Sequence, residues 1–146
     1  MQRPKVIAIR AGPQPMASRI YRCLDDGGID HVEVGRPSDV PAVLVGDGAD
    51  AVLVFNAKSG SPAHELLRVL RHGWSDVPVI VVVEESDFDE YYELMSDGAY
   101  DYYAMDEGAE VIAEALRWAA HTDAVPPRAL SSARFNQETD LTVGAA

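Results

Sequence analysis

Side chains able to do covalent or metal chemistry are few and scattered in this chain. Its 146 residues include four histidines (His31, His64, His72 and His121) and one cysteine, Cys23. The histidines fall in separate segments without metal-ligand spacing, so they read as solvated or incidental. A single cysteine excludes an intrachain disulfide framework and any cysteine-rich metal site. It sits on an apolar helical stripe, where a core role outweighs reactivity. Ser59 and Ser61 have no nearby histidine with a plausible relay, so no nucleophilic triad is indicated. The stretch Asn56-Ala57-Lys58-Ser59-Gly60-Ser61 precedes a predicted helix, whose backbone N–H groups can bind an anion. It lacks the multi-glycine spacing of a phosphate-binding loop, as does Arg10-Ala11-Gly12-Pro13, and it reads as a turn plus cap. Nothing in this inventory is expected to make an enzyme.

Acid and tyrosine are what the chain holds in quantity. Asp plus Glu number 24 against 12 Lys plus Arg, for a net charge of -12. Such a balance excludes a dedicated nucleic-acid or anionic-membrane surface, since both partners are polyanions. The charge is segregated. Residues 1–71 carry nine basic and eight acidic side chains, whereas residues 72–146 carry three basic and sixteen acidic. No basic residue lies between Arg71 and Arg117. Within that gap, Tyr91, Tyr92, Tyr100, Tyr102 and Tyr103 interleave with Asp87, Asp89, Glu90, Glu93, Asp97 and Asp101. Tyrosine supplies rigid contact area with a polar tip, a composition typical of interface hot spots.

Three apolar runs must position these groups: Val6–Ile9, Val52–Phe55 and Val79–Val83. Each is short, continuous and rich in β-branched residues, the pattern of strands buried on both faces. His31–Gly35 and Ala99–Ala104 are weaker strand candidates. Between them lie helical patterns. Met16, Ile20, Cys23 and Leu24 recur at helical spacing and end at Gly27-Gly28. Ser38 would cap a short second helix with Pro41 in its first turn, and Ser61-Pro62 reads as N-cap and N1 of a third. Ser86 with Asp89 resembles a capping box ahead of Phe88, Tyr91, Leu94 and Met95, stopped by Gly98. Asp106 and Glu107 favour the start of a fifth helix with the stripe Val111, Ile112, Ala115, Leu116 and Ala119. Five alternating strand–helix units imply a doubly wound α/β fold.

The length suits one domain, assigned to residues 1–121, with 122–146 as a tail or linker after the Pro126-Pro127 break. No apolar run approaches the ~20 residues of a membrane span, and no secretory h-region opens the chain. The expectation is a cytoplasmic protein.

Asp50-Ala51-Val52-Leu53-Val54-Phe55, the Pro78-led run Val79–Val83, and Gly98-Ala99-Tyr100-Asp101-Tyr102 resemble the response-regulator receiver domain over roughly residues 4–121. The resemblance implies a five-stranded parallel sheet in the order 2-1-3-4-5. It also implies five functional side chains at the C-terminal strand ends. Two carboxylates hold Mg²⁺, an aspartate accepts a phosphoryl group, and a hydroxyl and a lysine bind its oxygens. The matching positions here are Arg10 and Ala11 for the acidic pair, Phe55 for the acceptor, Val83 for the hydroxyl and Met105 for the lysine. Arginine repels Mg²⁺, which requires hard oxygen ligands. Phenylalanine has no nucleophile, valine no donor, and methionine no charge. A one-residue slip would place the neutral amide of Asn56 at the acceptor position.

The chain therefore reads as a degenerate pseudo-receiver: non-catalytic, with no cofactor and no Mg²⁺ site. Arg10 is expected to pair with Glu84 or Glu85, and Phe55, Val83 and Met105 to fill the former phosphoryl pocket together. The expected activity is phosphorylation-independent two-component signalling by protein–protein contact. The face of the fourth helix, fifth strand and fifth helix would dock a partner with a basic surface through Tyr91, Tyr92, Tyr102, Asp101 and Trp118. Homodimerisation through that face would need Arg117 or Arg71 to cross over. Alternatives are a small-ligand sensor using a remodelled pocket beside Arg10, Asn56 and Ser59, and an N-terminal regulatory module of a longer signalling protein.

Overall fold

Runs of β-branched residues that are apolar at every position can form strands only if both faces are covered, and the chain solves this with a two-sided α/β sandwich. The computed structural model describes residues 3–9, 15–56 and 62–121. Arg10, Ala11, Lys58, Ser59, Ser61 and the tail 122–146 lie outside the described residues. Strand β1 spans Lys5–Ile9, β2 Asp30–Val34, β3 Ala51–Asn56, β4 Val79–Val83 and β5 Asp101–Ala104. They alternate with α1 (Pro15–Asp26), α2 (Val40–Gly46), α3 (Pro62–Leu70), α4 (Phe88–Ser96) and α5 (Ala109–His121). All pairings are parallel and the sheet order is β2-β1-β3-β4-β5, as the resemblance implied.

Alternation along the strands sorts the core into two layers. One layer, under α1 and α5, holds Val6, Ala8, Leu53, Phe55, Ile80, Val82 and Tyr103 against Ile20, Leu24, Ile112 and Leu116. The other, under α2, α3 and α4, holds Ile7, Ile9, Val52, Val54, Val81, Val83 and Tyr102 against Val40, Leu66, Leu67, Tyr91 and Leu94. Helix α1 ends as its Gly27-Gly28 pair predicts: Gly28 takes φ +78° and Ile29 N–H returns to Leu24 O at 2.9 Å. That is a left-handed stop, which glycine adopts without a Cβ penalty.

Three local expectations are corrected. Asp87, not Ser86, caps α4, its Oδ1 accepting from Glu90 N at 3.0 Å. Ser38 lies inside a 3-10 turn (Pro37–Asp39) rather than capping α2. Asp106 and Glu107 form a second 3-10 turn with Met105, so α5 starts only after Gly108. Glu107 still serves that end of the sheet, its Oε2 accepting from Ala104 N at 2.9 Å.

Asp101 opens β5 fully buried, and among the described residues it is the one charged side chain in the core. Its Oδ1 accepts from Tyr102 N at 2.9 Å and its Oδ2 from Tyr103 Oη at 2.6 Å. Charge-assisted bonds of this kind offset the desolvation of a buried carboxylate. Asp101→Ala removes both acceptors and is expected to lower the unfolding free energy by about 2 kcal/mol or more in urea titrations, with an unchanged slope.

Candidate functional site

The C-terminal ends of the parallel strands are where open α/β sheets place their chemistry. Here the register decides which end residues share a surface. Phe55 pairs with Val82, and Asn56 with Val83. Val82 in turn pairs with Tyr103, and Val83 with Ala104. Phe55 therefore points into the α1/α5 layer with Val82 and Tyr103, and half-buried Met105 packs against that same layer. Val83 points the opposite way, into the α4 layer with Ala104 and Tyr102. The expectation that Phe55, Val83 and Met105 pack together is corrected accordingly. Period-two alternation separates Val83 from the other two. Phe55 and Val83 are both buried, at 2% and 3% exposure, so each fills core volume rather than lining an open pocket. Glu84 and Glu85 follow β4 on the surface. Their expected partner, Arg10, falls outside the described residues, as do Ala11 and Ser59.

The tyrosine cluster separates in the same manner. Tyr102 and Tyr103 are neighbours in sequence, yet the first faces α4 and the second faces α5. Tyr91, on α4, meets Tyr102 edge-on, with ring centroids 5.6 Å apart and planes at 73°, a favourable aromatic geometry. Three of the five residues expected to line the docking face, Tyr91, Tyr102 and Asp101, are thus buried. A continuous run of tyrosines cannot reveal which members alternate inward.

The exposed remainder is smaller and differently composed. Tyr92 is 64% exposed, and Phe88, which its spacing assigned to the core stripe of α4, is 51% exposed. They stand four residues apart on one helical row, with rings 6.5 Å apart. The adjoining row is Asp89, Glu93 and Asp97, all exposed. Trp118 is also exposed, on the row of α5 that begins at Val111 seven residues earlier. Val111 lines a groove shared with α1, not with α4 or β5. Val111 itself, expected in the core stripe of α5, is 45% exposed.

A closed hydrogen-bond circuit holds the start of α4 to β5. Tyr102 Oη donates to Glu90 Oε1 at 2.8 Å and accepts from Asp87 N at 3.1 Å. The capping bond from Glu90 N to Asp87 Oδ1 completes it. Burial, and next the donation to Glu90, hold the Tyr102 hydroxyl well above the usual tyrosine range. The folded protein thus keeps a proton that the unfolded chain loses, so this contribution is intact below pH about 10 and declines as pH rises past it. In an alkaline titration followed by tyrosinate absorbance, Tyr102 is expected to ionise after the exposed tyrosines, together with unfolding. Tyr102→Phe should reduce the amplitude of that late step and cost about 1 kcal/mol of stability.

No family model matches this chain, and no curated protein matches it in sequence. Solved structures do match in shape. A response regulator from Thermotoga maritima aligns at TM-score 0.68 and 19% identity, over 83% of this chain and 100% of its own. The receiver domain of a Francisella response regulator gives 0.67 at 17% identity, over 80% and 96%. A chemotaxis response regulator of Vibrio cholerae gives 0.67 at 14% identity, over 81% and 99%. With five parallel strands in the order 2-1-3-4-5 and five helices around them, the chain has the fold of response-regulator receiver domains.

Proposed function

We propose that this protein is a cytoplasmic, non-catalytic pseudo-receiver that signals by protein–protein contact without phosphorylation and without Mg²⁺. The observation that carries this reading is the pair of strand-end residues Phe55 and Val83, buried in opposite core layers where a receiver carries its acceptor and its hydroxyl. Neither side chain can take or bind a phosphoryl group. A carboxylate restored at position 55 would face the apolar layer under α5, where an unpaired charge is costly. Arg10, Ala11 and Met105 at the remaining positions supply neither the carboxylates nor the cation of the receiver pattern.

The Tyr102 circuit supports the same reading. Tyr102, in the same core layer as Val83, is already turned inward and bonded at both its donor and its acceptor. A phosphoryl-driven switch would have to break those bonds without any new contact in return. The surface above it is accordingly held in one arrangement.

That surface is the docking face, formed on α4 by Phe88 and Tyr92 and bordered by the row Asp89, Glu93 and Asp97. The seven acidic residues between Glu84 and Asp97 are joined by no basic residue. A partner with a basic surface is steered to such a field, and the two aromatics supply the contact that holds it.

Two experiments test this. Incubation with acetyl phosphate and Mg²⁺ is expected to leave the intact mass unchanged, and a stable acid-labile phosphoryl adduct would refute the proposal. Once a partner is isolated and purified, Tyr92→Ala and Phe88→Ala should each weaken its binding about tenfold, or ~1.4 kcal/mol. Association should slow as salt rises. A partner indifferent to both substitutions and to salt binds another surface.

A further inference from the structure

We propose that a cleft at the N-terminal end of β4 binds a small apolar α-amino acid in its zwitterionic form. The cleft holds about 100 Å³ between the last turn of α3, the loop that follows it and the turn from α4 into β5. Its floor is core: Leu67, Leu70 and Val79 are all buried. Half-buried Trp74 and Val77 make its wall. Trp74 is held there by its backbone, its N–H donating to Leu70 O at 2.7 Å and its carbonyl accepting from Val77 N at 3.1 Å. Gly98 stands at the edge, where an added Cβ would meet nothing within 4 Å.

Three polar side chains line the cleft: Arg71 from the end of α3, Ser75 from the loop and Asp97 from the end of α4. The guanidinium and the carboxylate border one space, yet neither has an ion-pair or side-chain hydrogen-bond partner among the described residues. They do not pair with each other. A cation and a carboxylate left unpaired around one cleft select a ligand that carries both charges. A simple anion would meet Asp97, and a simple cation would meet Arg71. The Ser75 hydroxyl can donate to a carboxylate or accept from an ammonium.

Volume decides the rest of the ligand. A cleft of about 100 Å³ holds the share of roughly three waters, which suits a side chain of three or four carbons. It falls below the roughly 300 Å³ at which pockets for larger ligands begin, so nucleotides and sugars are excluded. A branched aliphatic side chain seated on Leu67, Leu70 and Val79 is removed from water against the Trp74 indole. Its carboxylate then stays at the rim with Arg71 and its ammonium with Asp97. Apolar burial supplies the attraction, and the two charge-assisted contacts supply the selectivity. The cleft lies at the opposite end of the sheet from Phe55 and Val83 and shares only Asp97 with the docking face, so it stands apart from the function proposed above.

Titration of the isotope-labelled full chain with L-valine, followed by amide chemical shifts, tests the assignment. Saturable shifts centred on Trp74, Val77 and Gly98 are expected. Two analogues carry the test without any substitution. Isovalerate lacks the ammonium and isobutylamine lacks the carboxylate, and each is expected to bind about tenfold more weakly than valine. Arg71→Ala and Asp97→Asn, both at exposed positions, should each weaken valine by a similar factor. In Asp97→Asn the preference for valine over isovalerate should vanish, because the group that distinguishes them is gone. The proposal is overturned if valine gives no saturable shift in the tens of millimolar, or if the shifts centre on another surface. It is also overturned if isovalerate or isobutylamine matches valine on the unaltered chain, since the cleft then reads one charge only. None of these outcomes bears on phosphoryl acceptance or on a partner at α4.

Discussion

Parallel pairing in register is the constraint on which the rest of this structure depends. Each residue of β3, β4 and β5 has its Cα partner fixed, and partners project to the same side of the sheet. Shifting any strand by one residue would exchange its two core layers, so the hydrophobic sets under α1/α5 and under α2/α3/α4 lock the register together. The chemistry of the strand ends follows from that lock. Phe55 belongs to one layer and Val83 to the other, because one residue of register separates them.

A second consequence concerns α4. Its start is tied to β5 through Tyr102, Glu90 and Asp87, and its buried side through Tyr91 and Leu94. In this arrangement the same tyrosine closes a core layer and satisfies a helix terminus. Moving it would expose apolar surface and leave the Asp87 N–H without its acceptor, penalties that add rather than compete. The surface of α4 is thereby presented in one orientation, with its aromatic row beside its acidic row.

The distribution of charge gains meaning only in three dimensions. Acid is concentrated on α4 and the loop before it, where no basic residue accompanies it. The basic residues of the first half are not a counter-patch to α4. Arg19 and Arg22 face α5 across a groove, and Arg3 pairs with Asp30 at 3.3 Å at the opposite end of the sheet. Asp50, which immediately precedes β3, is used there too, its Oδ2 accepting from Lys5 N at 2.9 Å. A carboxylate at that end serves strand pairing and lies far from the strand ends where a receiver holds its cation.

Strand identity was legible in the sequence because β-branched runs bounded by glycine and proline admit few other readings, whereas the sheet order came from the resemblance to receiver domains. The five strand-end residue types were equally legible, since chemistry absent from a side chain is absent in any fold. The fate of the tyrosines was not. Tyr91, Tyr92, Tyr102 and Tyr103 share one composition, and only packing decides that Tyr92 alone of these faces solvent. Phe88 likewise looked like core by spacing but sits at the first turn of α4, where its ring meets Tyr91 and stays half exposed. Val111 lines the α1 side because of the rotation of α5 about its own axis, which a short alanine-rich stripe leaves open. The sequence by itself determined which residue types stand at the strand ends, and the tertiary structure alone decided which of its aromatics and charges are exposed, because exposure is a property of packing between elements distant in the chain.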